Sequence, residues 1–127
     1  MNYLLDTNFV INYFKGIYEG TARTFTDMVI NETTFISVIT RIELLGWQSL
    51  SAADELTIND FITDSIVFSL EEAIIQQTII LRKSKKIKLP DAIIASTALV
   101  HNLQLVTHNI QDFGNIDGLI VIDAGSL

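Results

Sequence analysis

Apolar residues fall into two rhythms that alternate along the chain. Short runs rich in β-branched side chains, Tyr3-Leu4-Leu5, Thr34-Phe35-Ile36-Ser37-Val38, Ile66-Val67-Phe68, Leu105-Val106 and Leu119-Ile120-Val121-Ile122, read as strands. Between them lie segments of helical period: Asn8 to Phe14, Thr21 to Ile30, Thr40 to Trp47, and a stretch running from Ser51 towards Ile62. Ser51-Ala52-Ala53-Asp54 has the form of a capping box with Asp in place of Glu. Glu71 to about Lys85 predicts a long helix with Ile75, Thr78, Ile79 and Arg82 at helical spacing, and Pro90 opens another at its preferred first turn. Strands alternating with helices, in the coarse order βαβαβαβαβ with several helices paired, predict an α/β fold whose parallel sheet is covered by helices. There is no internal repeat and no low-complexity tract.

At 127 residues the chain has room for one domain, expected to span residues 1–127. Its 49% hydrophobic residues, few glycines and single proline supply one complete core and argue against a linker or disordered tail. With no cysteine, disulfides and thiolate zinc sites are excluded. That fits a reducing compartment, and the cytoplasm is the expected address: no basic leader precedes the first strand, and the apolar runs are too short to span a membrane.

A net charge of −7 argues at first against a polyanionic partner. The distribution changes that picture, because Arg82, Lys83, Lys85, Lys86 and Lys88 fall within seven positions and hold five of the eight basic residues. The stretch either meets a phosphate backbone or complements a helix C-terminal dipole.

Four acids stand beside apolar segments: Asp6 closes the first strand, Glu43 interrupts Ile39 to Leu45, Asp91 follows the proline, and Asp112 lies in the loop-like stretch Thr107 to Gly114. Charges in such settings cost free energy unless paired or metal-bound. Asp6 falls at a strand C-terminus, where ligands gather in open α/β sheets. Helix capping is the plainer reading, but it needs one such residue, and Asp6, Thr7 and Asn8 stand together. Glu43 shares a helical face with Ile39 and Trp47, at the rim of the core, or else pairs with Arg41. Asp91 heads the face formed by Ile94, Ala95, Ala98 and Leu99, a place that helix-start chemistry also explains. Asp112 reads equally as a turn residue. Jointly the four point to a divalent-metal site held by oxygen ligands.

The segments Leu5-Asp6-Thr7-Asn8, Arg41-Ile42-Glu43-Leu44, Leu89-Pro90-Asp91-Ala92-Ile93-Ile94-Ala95 and Thr107-His108-Asn109-Ile110-Gln111-Asp112-Phe113 together resemble the PIN-domain ribonucleases of the VapC toxin type. Each motif is short, but their order and separation over essentially the whole chain make the combination specific. The resemblance implies a Rossmann-like PIN domain, with a central parallel sheet of about five strands and helices on both faces. It also implies Mg²⁺ or Mn²⁺ dependence, endoribonuclease activity on an RNA substrate, a cognate antitoxin and a homodimer. By motif position Asp6, Glu43 and Asp91 correspond to the family's three core acids and Asp112 to a fourth, more variable one. Some members carry that acid where this chain has Asn109, so the fourth position is open between the two. Thr7, Asn8, Thr107 and Asn109 would orient ligands, water or substrate.

Phosphodiester hydrolysis wants an attacking hydroxide and neutralised phosphoryl charge, both of which a hard cation supplies. Asp6 and Asp91 are the expected main ligands, with Glu43 acting through water. His108 is placed to meet the RNA backbone or to serve as a plain loop residue, whereas His101 beside Asn102 reads as a helix C-terminal cap. Trp47, Leu44, Leu45 and Leu50 read as core or interface rather than base-stacking residues. A haloacid-dehalogenase-like phosphatase would need an aspartate where Asn8 stands, and a response-regulator receiver a phospho-accepting aspartate near Ser69-Leu70-Glu71. The remaining rival is a catalytically inactive PIN-like module that binds RNA or protein, against which the retained acids weigh.

Overall fold

Strands of only two or three residues suffice where packing covers both faces of the sheet at its centre. The computed structural model describes residues 2–127, and in it the central strand β1 (Tyr3–Leu5) is buried throughout. The chain continues through α1 (Thr7–Phe14), α2 (Gly20–Asn31), β2 (Phe35–Ser37), α3 (Val38–Leu45), α4 (Ala52–Asp64) and β3 (Ile66–Phe68). It then runs through α5 (Glu72–Ser84), α6 (Leu89–His101), β4 (Gln104–Val106), α7 (Ile110–Phe113), β5 (Val121–Ile122) and a closing 3-10 turn, Ala124–Ser126. The five strands form one parallel sheet in the order β3-β2-β1-β4-β5. Leu4 stands opposite both Phe35 and Leu105.

Alternation along the strands divides the core between two faces. Tyr3 and Leu5, with Ile36 and Val106, meet Phe9 and Val10 of α1, Ala22 and Val29 of α2, Leu44 of α3, and Ile58 and Phe61 of α4. Leu4 and Leu105 point the other way, onto Leu81 of α5, Ala92, Ile94, Ala95 and Ala98 of α6, and Phe113 of α7. Helix α6 is buried continuously from Ala92 to Ala98, and its small residues let it lie close under the sheet. It starts with Pro90 in its first turn and stops at Asn102, whose φ of 54° is the left-handed conformation that ends helices.

Several sequence expectations shift. Val38, expected to close the second strand, begins α3 because the Ser37 hydroxyl accepts from Ile39 N at 3.0 Å and caps the helix there. That helix ends at Leu45, so Trp47 lies beyond it and shares no helical face with Glu43. On α5 the inward stripe is Ile74, Thr78 and Leu81, and Ile79 is 44% exposed. Thr78 is tolerated inside because its hydroxyl donates to Ile74 O at 2.7 Å. Leu119 and Ile120 precede β5, whose pairing with β4 starts at Val121. Asp112 sits on the one-turn helix α7 rather than in a loop, with Phe113 driving that turn into the core. Among the described residues no helix is long and apolar enough to cross a membrane.

Candidate metal and catalytic site

The strand order places a reversal beside β1: the chain proceeds to β2 and β3 on one side, then returns to β4 on the other. Outside the C-termini of β1 and β4, connections diverge and leave a crevice, the usual ligand position in such sheets. Asp6 follows β1 and Thr107 follows β4. Across that seam the Thr107 hydroxyl donates to Asp6 Oδ2 at 2.6 Å, joining residues 101 positions apart. Thr107 Oγ1 in turn accepts from Asn109 N at 3.0 Å. Asp6 Oδ1 accepts from Thr7 N at 2.9 Å, so each of its oxygens is fixed while each keeps lone-pair capacity for a cation.

Glu43 arrives from α3. The Thr7 hydroxyl lies 2.7 Å from Glu43 Oε1 and 3.1 Å from Thr40 Oγ1, and its single proton goes to the carboxylate as the stronger acceptor. Glu43 is exposed, and among the described residues Arg41 has no carboxylate at ion-pair distance, so the Arg41 pairing is not made. Asp91 occupies the first turn of α6, partly buried. On α7 the Asp112 carboxylate accepts from Asn109 Nδ2 at 2.6 Å, which ties the two candidates for the fourth position together. Asn8 is exposed, with no hydrogen bond from its side chain to the acids among the described residues.

The electrostatics show that the four acids share one neighbourhood. Burial, then the charges of Asp6, Asp112 and Glu43, push the Asp91 carboxyl up from 3.8 to about 6, while Lys88 draws it down. Burial also raises Asp6, with Glu43 adding to it; the Thr107 and Thr7 hydrogen bonds and the nearby His108 act in the opposite sense. The donor set is all carboxylate oxygen, and its mutual repulsion is the kind a hard dication such as Mg²⁺ or Mn²⁺ relieves, so these residues fit such an ion by chemistry. Among the described residues no three of these side chains are drawn together closely enough to hold an ion as they stand.

Sequence reasoning missed the groups that orient His108. The Tyr18 hydroxyl is hydrogen-bonded to His108 Nε2, and His108 Nδ1 lies 3.4 Å from Asp123 Oδ1. Burial, with Asp123, pushes the Tyr18 phenol up to about 12, so it stays protonated at neutral pH. Tyr18 and Asp123 come from opposite ends of the chain, and no local pattern links them. His101, by contrast, is the last residue of α6 but not its cap: Asn102 caps the helix, and the His101 ring is bonded to Glu71 Oε1 at 3.1 Å and stacked on Phe68. Of the four candidate packing residues, Leu44 is fully buried and Leu45 exposed, while Trp47 and Leu50 line a groove with Ile11 and Phe14, the Lys15 ammonium lying over the indole.

The PIN-domain family model matches residues 3–119, nearly the whole chain. The chain belongs to the PIN-domain family. Solved structures agree with this PIN domain in fold over almost their full length. A chain of a toxin–antitoxin complex from Klebsiella pneumoniae superposes with a TM-score of 0.77 at 29% identity, covering 97% of this chain and 98% of that one. VapBC2 from Rickettsia felis, bound to a promoter DNA fragment, gives 0.77 at 25% identity, with 96% and 98% covered. DNA-bound VapBC from Salmonella typhimurium gives 0.77 at 25%, with 98% of both chains covered. No curated protein sequence matches the chain. The likeness to VapC-type toxins read from the motifs is thus borne out for family and fold.

Proposed function

We propose that this PIN domain is a metal-dependent endoribonuclease and the toxin of a toxin–antitoxin pair, acting as a single domain. The observation that carries the chemistry is that four acids from four separate segments lie near the β1/β4 seam, where burial first, and then the charges of the other three, push the Asp91 carboxyl up to about 6. The toxin role draws support from the similar chains of VapBC complexes. A cognate antitoxin and a homodimer belong to the same reading.

Asp6 and Asp91 are the main candidate ligands, with Asp112 at the rim. A bound Mg²⁺ or Mn²⁺ supplies charge for the phosphoryl oxygens and lowers the pKa of a water. Asp6 is aimed by Thr107 and Thr7. Glu43, tethered through the Thr7 hydroxyl and otherwise open to solvent, positions the attacking water. Asn109 fixes the Asp112 carboxylate. Asn8, exposed beside them, faces the substrate side.

The test is expression of the chain and of its Asp6→Asn variant, reading growth arrest and Mg²⁺- or Mn²⁺-dependent RNA cleavage. Arrest and cleavage by the parent alone are expected. Arrest by both proteins, or by neither, moves the assignment to a binding module. Co-purification of a small partner carrying a basic C-terminal segment tests the antitoxin separately.

A further inference from the structure

The basic turn between α5 and α6 stands apart from the rest of this acidic molecule. No acid occurs between Glu72 and Asp91, a span that holds five of the eight basic residues. Arg82 and Lys83 lie in the last turn of α5, where the helix dipole favours cations. That explanation stops at Ser84. Lys85 and Lys86 lie past the helix end, and Lys88 is the N-cap of α6, where the dipole disfavours positive charge. Among the described residues, none of Lys83, Lys85, Lys86 and Lys88 has a carboxylate at ion-pair distance.

The turn is nevertheless firmly held. Arg82 Nη1 donates to Ile87 O at 2.6 Å, and the Ile87 side chain is buried in the α5/α6 core while the flanking lysines stay exposed. Lys85 and Lys86 line a hollow of about 230 Å³ together with Gln111, Asp112 and Asn115. At roughly 30 Å³ per water, it takes a phosphate group with several waters. Asp112 lines this hollow and its charge acts on Asp91, as does that of Lys88, so the hollow adjoins the acids. Two lysines outnumber the one carboxylate there, and the Gln111 and Asn115 amides add donors.

We propose that Lys85 and Lys86, lining this hollow with Gln111 and Asn115, form a phosphate subsite for the RNA backbone next to the phosphodiester at the acids. This inference rests on the nuclease reading and deepens it. It explains how a protein of net charge −7 holds a polyanion: the cations are concentrated beside the acids. The subsite grips backbone and carries no base readout, so it fixes where the strand lies without choosing its sequence.

The test uses the full chain carrying Asp6→Asn, binding a short single-stranded RNA across a salt series, with and without Lys85→Ala/Lys86→Ala. The double substitution is expected to raise the Kd on the order of tenfold at low salt and to shrink the log–log salt slope by about 1.4, from ~0.7 per phosphate contact on single strands. Lys85→Arg/Lys86→Arg should restore both, and Lys15→Ala, in the Trp47 groove, should change neither. With Asp6 intact, the lysine pair should raise KM for cleavage and leave kcat in place. An unchanged affinity and slope overturn the subsite, as does weakened binding confined to polyglutamate, which would assign the turn to an acidic protein segment. A chain that binds RNA through these lysines yet cleaves none overturns the nuclease reading alone. Cleavage with lysine-independent binding overturns the subsite alone.

Discussion

Asp6 and Asp112 both act on Asp91, under opposite constraints. Asp6 is buried at the sheet seam, with each oxygen held by a hydrogen bond from residues on two different strand ends. Asp112 is exposed on a one-turn helix, held by its near neighbour Asn109. An acid fixed by the sheet defines where a cation sits, because moving it means disturbing β1 and β4 together. An acid on a short surface helix adjusts to whatever is bound. Asp91 stands between these extremes: partly buried in the first turn of α6, its carboxyl raised first by burial and then by the charges of Asp6, Asp112 and Glu43.

The sharpest way to break this contrast is to neutralise each acid in turn. Asp6→Asn should lower metal-dependent RNA cleavage beyond the roughly hundredfold expected from losing a supporting hydrogen bond, and Asp112→Asn should cost less than that. Equal losses in initial-rate assays would show that depth does not rank the acids. Thr107→Val comes next: it removes the donor to Asp6 Oδ2 and should cost about tenfold to a hundredfold in activity, with the Mg²⁺ titration midpoint moved to higher concentration. An unshifted midpoint would mean that Asp6 needs no aiming.

Asp91 should separate stability from function. Its folded pKa of about 6 lies above the ordinary value of 3.8, so the metal-free fold binds this proton more tightly than the unfolded chain. The resulting stabilisation is complete below the unfolded value and is lost as pH rises through about 6. Asp91→Asn should therefore abolish cleavage yet stabilise the metal-free protein at neutral pH by on the order of 1 kcal/mol, after discounting for solvent screening, seen as a Tm raised by a few degrees. A lowered Tm would remove the electrostatic account. The smallest effect is expected at the rim: Asn109→Ala should cost less than Thr107→Val in both cleavage and Mg²⁺ midpoint, and a larger loss would make Asn109 the more important partner.

Local pattern carried most of the secondary structure. Strand Ile66 to Phe68, the Ser51 cap and the Pro90 start all coincide with the observed elements, because period and capping are short-range properties. The errors fall where a contact decides between near-equal local options. Ile74 and Ile75 fit a helix equally well, and packing against α6 buried the first more deeply. Val38 has strand propensity, and one hydrogen bond to Ser37 turned it into a helix start. The candidate acids were readable because carboxylates at the ends of apolar segments are unusual. The Thr7 bond to Glu43 and the Tyr18–His108–Asp123 chain were not, since nothing near Tyr18 in sequence signals a histidine 90 positions on.

By itself the sequence determined the α/β alternation, the positions of the four candidate acids and the concentration of positive charge in one turn, since composition and local spacing are enough for each. Only the tertiary structure decided that β4 returns beside β1, so that Thr107 reaches Asp6, and that α7 brings Asp112 to the hollow beside Lys85 and Lys86. Those placements depend on which hydrophobic face packs against which, a property of the assembled core that no single segment contains.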